Sequence, residues 1–147
     1  MTNPVSKDLT KEPPRSPRER VGGYVILGRT IDKCRALLAE KIGEYHFDCP
    51  LDNALFSFKE VKGDDFKTEI ERGAIDEEMA AWLDKNGTYK SPAEVKEWSD
   101  GMEKFSMIDD PEKRDFFIAE CEKLGLDPKK TTLFQWLETD DKASYSK

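Results

Sequence analysis

The sequence is poor in the residues that build most catalytic and metal sites, with one histidine and three cysteines among 147 residues. Cys34, Cys49 and Cys121 are widely spaced and form no Cys-x-x-Cys pair, which argues against a disulfide framework and a cysteine-only zinc site. The motifs of phosphate loops, dinucleotide-binding folds, zinc proteases and serine hydrolases are absent as well. The sequence therefore indicates no enzyme class, and we predict no cofactor and no metal.

Long apolar runs are also missing. No stretch approaches the roughly 18 apolar residues of a membrane span, and the polar residues 1–11 do not resemble a secretory signal. The chain has 31 acidic and 24 basic residues and a net charge of -7, which disfavours direct binding to nucleic acid or to an anionic membrane. We therefore expect a soluble cytoplasmic protein with reduced thiols.

Charge is distributed unevenly, because basic residues outnumber acidic ones in residues 1–41 and acidic residues dominate the rest. One interpretation is that a basic N-terminal segment packs on an acidic body. A second is that the N-terminal arginines bind an anion. A third is that the acidic part mimics nucleic acid, which would require a contiguous acidic face.

Helical periodicity predicts the fold. The apolar positions Leu27, Ile31, Cys34, Leu38 and Ile42 follow the spacing of one helix face, and Gly43 supplies a stop. Further apolar patterns, punctuated by proline, glycine and capping residues, continue to the end of the chain. We predict an all-α, compact, bundle-like domain of about six or seven short helices around a central N-terminal helix.

Two capping motifs give the clearest helix starts. Ser91-Pro92-Ala93-Glu94 is a capping box with proline at the first helical position. Ser16-Pro17 with Glu19 has the same spacing and predicts that the first helix begins there. The predicted organisation is thus an extended arm over residues 1–15 and a single helical domain over residues 16–147.

An anion site is the leading functional hypothesis, because unpaired N–H groups at a helix start favour anions and arginines add bidentate contacts. Arg29, Asp32 and Lys33 share one helix face at spacings of three and four. The predicted ligand-binding residues are Arg15, Arg18, Gly22, Gly23, Tyr24, Arg29, Asp32 and Lys33. This hypothesis describes a non-catalytic binding module for a small anion or a protein partner. The alternative is an ordinary charged surface whose arginines pair with carboxylates.

A competing hypothesis is an enzyme that uses Cys49 as nucleophile and His46 as base, since a cysteine at a helix start with a nearby histidine has the required chemistry. The same His-x-x-Cys spacing is half of a zinc site, which Cys34, Cys121 or an acid would have to complete. The third alternative is a structural loop whose side chains pack. Likewise, the three tryptophans, Trp82, Trp98 and Trp136, suit a hydrophobic core or a ligand cage.

Several segments of the chain carry a family resemblance. They are Asp8-Leu9-Thr10, Pro14 to Arg18, Gly22 to Lys33, Glu44-Tyr45-His46 and Cys49 to Asp52, with further similarity at Ser91-Pro92, Trp98 and Leu133 to Leu137. In these segments the chain resembles a family of small bacterial proteins known only as a domain of unknown function. The resemblance implies a bacterial cytoplasmic protein, and it implies no activity, cofactor or catalytic residue.

Overall fold

The computed structural model describes residues 5–145, which fold into helices joined by loops. Seven α-helices occur in this part of the chain: α1 Leu27–Leu38, α2 Pro50–Lys59, α3 Gly63–Glu71, α4 Asp76–Lys85, α5 Pro92–Lys104, α6 Arg114–Lys123 and α7 Leu133–Tyr145. A 3-10 turn, Met107–Asp109, separates α5 from α6. The all-α prediction and the predicted number of helices are confirmed.

Helix α1 lies at the centre of the fold, as predicted. Nine of its 12 residues are buried, and it packs against α2, α3 and α4. The helix ends at Leu38, which is 38% exposed, and not at Gly43. It ends early because Glu40 adopts a left-handed conformation and lets the Lys41 amide donate to the Ala36 carbonyl at 2.7 Å.

The helix predicted to begin at Ser16 is absent, and that prediction is wrong. The Ser16 hydroxyl accepts a hydrogen bond from the Arg18 amide at 3.1 Å, but the motif closes only a turn. Gly22 and Gly23 follow with φ angles of 57° and 91°, which break any helical continuation. The next residues then enter the core in an irregular segment, held by the Ile26 amide donating to the Pro17 carbonyl at 2.7 Å.

Gly22 also has a packing role. A Cβ atom at this position would lie 2.4 Å from the Ala80 Cβ on α4. The positive φ and the close approach each favour glycine here, so the turn before α1 rests directly on α4.

The capping box at the start of α5 is confirmed by its two reciprocal bonds. The Glu94 amide donates to the Ser91 hydroxyl at 3.1 Å, and the Ser91 amide donates to the Glu94 carboxylate at 3.0 Å. Pro50 likewise occupies the first position of α2, so Cys49 lies at a helix start, as predicted.

Two hydrophobic clusters lie within the described residues. The larger one contains the buried faces of α1 to α4 and includes Phe56, Phe66 and Leu83. The smaller one is built from Met107, Phe117 and Cys121, with Trp136 packed against it. Leu133 packs against both clusters, so the first turn of α7 connects them. No helix within residues 5–145 is long and apolar enough to cross a membrane.

Candidate functional site

Arg15 is the centre of a partly buried charge network that we call the arginine cluster: Arg15, Asp32, Arg35 and Asp76. The Arg15 Nε and Nη2 donate to Asp32 at 3.1 Å, and its Nη1 donates to Asp76 at 2.7 Å. Asp32 also accepts from the Arg15 backbone amide at 2.8 Å. Arg35 adds an ion pair to Asp76 at 3.4 Å. Every guanidinium nitrogen of Arg15 therefore has a carboxylate partner.

Gly28 makes room for this cluster, because a Cβ atom there would lie 3.2 Å from the Arg15 guanidinium carbon. The hydrogen bond from Arg15 is the main reason that the pKa of Asp76 lies below its ordinary value, and the charge of Arg15 acts in the same direction. The cluster joins the N-terminal segment to α1 and α4 through ionised groups.

Other residues of the predicted anion site also have protein partners. Arg18 forms an ion pair with Glu138 at 3.0 Å, although its side chain is 44% exposed. The Tyr24 hydroxyl donates to Asp84 at 2.8 Å, and burial, followed by this contact, raises its pKa. Gly22 and Gly23 form the turn before α1. Of the predicted ligand-binding residues, the structure thus brings Arg15 and Asp32 into direct contact, whereas Arg18 and Tyr24 bind carboxylates elsewhere in the protein.

Arg29 is only 3% exposed, and its Nη1 donates a hydrogen bond to the backbone carbonyl of Arg15 at 3.3 Å. Its Nη1 and Nη2 donate to Asp141 on α7 at 2.9 and 3.3 Å. The Tyr45 hydroxyl donates to the same carboxylate at 2.8 Å, and its ring lies 5.5 Å from the Arg29 guanidinium carbon. Burial, followed by the bond to Asp141, raises the pKa of Tyr45, which keeps it a neutral donor.

Lys33 lies one turn further along α1 and pairs with Asp52 of α2. Its Nζ is 3.0 Å from Asp52, which is 0% exposed and also accepts from the Thr30 hydroxyl at 2.6 Å. Asp52 further accepts from the backbone amides of Asp48 and Cys49 at 2.9 and 3.4 Å. The Lys33 Nζ is also 3.2 Å from the Cys49 sulfur.

A groove of about 1080 Å³ opens beside these two pairs. Its polar lining includes Arg29, Lys33, Tyr45, His46 and Cys49. Its apolar walls come from α2, the end of α5, the 3-10 turn, α6 and α7: Leu51, Ala54, Met102, Phe105, Met107, Phe116, Leu133, Trp136 and Leu137. Because the walls combine side chains that pack on both hydrophobic clusters, the groove lies between the two clusters.

Two buried hydrogen-bond donors at the groove have no partner among residues 5–145. They are Nε of Arg29 and Nε1 of Trp136, and both residues line the groove. A buried N–H group without a partner costs about 1–3 kcal/mol. Because nearly all buried polar groups in proteins are satisfied, these two donors are candidates for binding an acceptor group of a ligand in the groove.

The groove contains charges of both signs. Glu44, Glu112 and Asp140 line it together with Lys113, while Arg29 and Lys33 are already paired with carboxylates. Burial, followed by the nearby charge of Asp141, raises the pKa of Asp140. This balance disfavours multiply charged anions and suits a ligand that is mostly apolar.

The structure separates the three cysteines. Cys49 borders the groove, whereas Cys34 and Cys121 are buried in the two different clusters. His46 lines the same groove and is exposed, but no hydrogen bond joins it to Cys49 within the described chain. Nor do residues 5–145 contain three or more His, Cys, Asp or Glu side chains grouped to hold a metal ion.

Arg29, Lys33, His46 and Cys49 are candidates predicted from the sequence, and the groove contains all four. The apolar walls and Asp141 are not predictable from local sequence patterns, because those residues come from distant helices. Trp136, for which the sequence leaves a core or a ligand cage open, lines the groove. Trp98 lies outside the groove and stacks on Phe58 with 4.5 Å between the ring centroids. A smaller depression of about 500 Å³ lies between α3 and α4, and its lining combines charged side chains such as Arg72 and Glu78 with apolar ones such as Ile75 and Trp82.

Residues 11–143 match the profile of a family described as Domain of unknown function (DUF5069). The match covers most of the chain, so the protein belongs to this family. A search of curated proteins gives no match.

Proposed function

We propose that this member of the DUF5069 family is a non-catalytic binding protein whose groove holds a small, largely apolar ligand with one carboxylate group. The observation that carries the proposal is the pair of partnerless donors, Arg29 Nε and Trp136 Nε1, beside the groove. A carboxylate offers acceptors to both donors, and hydrogen bonds with a charged partner contribute about 1.5–3 kcal/mol each.

The size and lining of the groove support this ligand class. Its volume of about 1080 Å³ is comparable with ligand pockets, which span roughly 300–1,000 Å³ and have mainly hydrophobic walls with few polar groups. Phe105 and Phe116 are 39% and 55% exposed at the groove, so their apolar surface is available to a ligand. Burying that surface contributes about 25 cal/mol per Å².

The charge balance supports a single carboxylate. Glu44, Glu112 and Asp140 would repel a phosphate dianion, whereas one carboxylate bound at Arg29 and Trp136 gains two charge-assisted donors. The same acids would attract an amine, but an amine offers no acceptor to the two donors. If the apolar tail alone drove binding, the affinity would not depend on the head group. A higher affinity for the carboxylate therefore distinguishes this proposal from nonspecific hydrophobic binding.

Calorimetric titration with decanoate, decylamine, decanol and inorganic phosphate tests the proposal. We expect decanoate to bind most tightly and phosphate not to bind. Trp136→Phe removes one donor and should weaken decanoate binding by about tenfold. Trp98→Phe is the matched control, because Trp98 is also partly buried but lies outside the groove. Equal affinities for the three decyl compounds, or equal effects of the two variants, would overturn the proposal.

We also infer a bacterial cytoplasmic location. The family resemblance supports the origin, and the three free cysteines, two of them buried, support a reducing compartment. Cell fractionation with thiol trapping tests this inference: the protein should appear in the cytoplasmic fraction with all three thiols reduced.

A further inference from the structure

Cys49 differs from the other two cysteines in its access to the groove. Burial raises the pKa of Cys34 to about 12 and raises that of Cys121 as well, so both are poor nucleophiles at neutral pH. Cys49 is only partly buried and borders the groove. It therefore offers the one thiol of the three that a molecule in the groove can reach.

The surroundings of the Cys49 sulfur suit a nucleophile. Cys49 directly precedes α2, a helix of 10 residues, so the sulfur lies at the positive end of a helix dipole. The Lys33 Nζ lies 3.2 Å from the sulfur and can donate a hydrogen bond to a thiolate, the form that attacks electrophiles. Leu51 and Ala54 continue the lining from Cys49 along α2.

Besides Cys49, the unused Nε donor of Arg29 supports a ligand in this groove, since Arg29 is 3% exposed and lines the groove. We propose that Cys49 covalently captures α,β-unsaturated carbonyl compounds with apolar tails, which the groove holds beside the sulfur. The proposal rests on the binding function proposed above and adds a chemical class to the ligands of the same groove.

The reaction is a conjugate addition that needs no oxidant or further reactant. The Cys49 thiolate attacks the β-carbon, a carbon–sulfur bond forms, and the carbon–carbon π pair moves to give an enolate. The thiol releases its proton to solvent when the thiolate forms, and solvent returns a proton to the α-carbon of the enolate. The product is a thioether with the combined mass of protein and ligand.

The test compares heptyl vinyl ketone with methyl vinyl ketone, which share the reactive group and differ in the apolar tail. Intact-mass spectrometry follows adduct formation, and peptide mapping locates the adduct. We expect a single adduct, at Cys49. The rate with the heptyl compound should exceed the rate with the methyl compound at least about tenfold, once this ratio is divided by the ratio of the two rates measured with free glutathione. Decanoate should slow the reaction by competing for the groove.

Three variants complete the experiment. Cys49→Ser should abolish the adduct. Phe116→Ser should slow the heptyl reaction by about tenfold, since it removes an apolar wall, while Tyr89→Ser should not, since Tyr89 is 73% exposed and outside the groove. The absence of an adduct, or a corrected rate independent of tail length, would overturn covalent capture. Calorimetric decanoate binding by the unmodified protein would then show that the binding function itself stands, and its failure would remove both proposals.

Discussion

The arginine cluster and the groove both contain cationic side chains next to α1, but they differ in how many hydrogen-bond donors of these side chains have an acceptor. In the arginine cluster, all three guanidinium nitrogens of Arg15 donate to Asp32 or Asp76. At the groove, Arg29 uses Nη1 and Nη2 for Asp141 but has no partner for Nε. Arg15 thus has a complete set of partners that tie the N-terminal segment to α1 and α4, whereas the unused Nε donor of Arg29 is the feature on which the proposed ligand site rests.

The largest expected effect comes from opening the arginine cluster. Asp32→Ala removes the carboxylate that accepts from the Arg15 side chain and backbone, and Asp32 is 5% exposed. Breaking a fully buried pair by removing one partner costs about 3–5 kcal/mol; because the Arg15 side chain is 20% exposed, urea denaturation should show a loss at the lower end of that range, about 3 kcal/mol. Glu97→Ala, at an exposed position of α5, is the control. A loss below about 1 kcal/mol would show that the cluster is not structural.

The turn before α1 gives the next effect. Gly22→Ala places a Cβ atom 2.4 Å from the Ala80 Cβ at a φ of 57°. Overpacking and the left-handed conformation together should lower the free energy of unfolding by about 2–3 kcal/mol. Decanoate affinity, measured where the variant is folded, should be unchanged. A large loss of affinity without a loss of stability would instead support Gly22 as a ligand residue.

Acid should weaken the arginine cluster specifically. Because the pKa of Asp76 is lowered in the folded protein, its contribution to stability is present above about pH 4, the usual Asp range, and is lost as the pH falls through the lowered pKa. Asp76→Asn should remove this pH-dependent contribution. Urea denaturation of both proteins across the acidic range measures it. Parallel curves for wild type and variant would contradict the prediction.

The smallest expected effect concerns Arg18, one of the predicted ligand residues. Its side chain is 44% exposed and pairs with Glu138. An exposed ion pair contributes about 0–1 kcal/mol, so Arg18→Gln should change stability by less than about 1 kcal/mol. Calorimetry should give the wild-type decanoate affinity. A tenfold loss of affinity would extend the binding site to Arg18 and weaken the contrast between the two regions.

Sequence patterns that span a single helical turn correctly predict where some of the helices begin. The capping box at Ser91 and the proline at position 50 depend on residues within one helical turn, so the sequence contains all the information they need. The motif at Ser16 has the same spacing but fails, because the glycines at positions 22 and 23 and the burial of the following segment outweigh a single cap.

The candidate site was only partly predictable for a related reason. The charged residues on α1 are visible in the sequence, and Arg29, Lys33, Cys49 and His46 do share one groove. Whether a charged side chain is paired depends on residues elsewhere in the chain. The partner of Arg29 is Asp141, which lies 112 residues away in the sequence. Sequence spacing along α1 therefore gives the location of charge but not its pairing.

Helix α7 has a consequence for the order in which the protein can form during synthesis. Its Asp141 neutralises Arg29, and its Glu138 pairs with Arg18, across separations of 112 and 120 residues. At a translation rate of about 5–20 residues per second, Asp141 is synthesised roughly ten seconds after Arg29. During that interval the nascent chain contains an unpaired charge at its future core and lacks one wall of the groove, so the groove is among the last parts of the molecule to form.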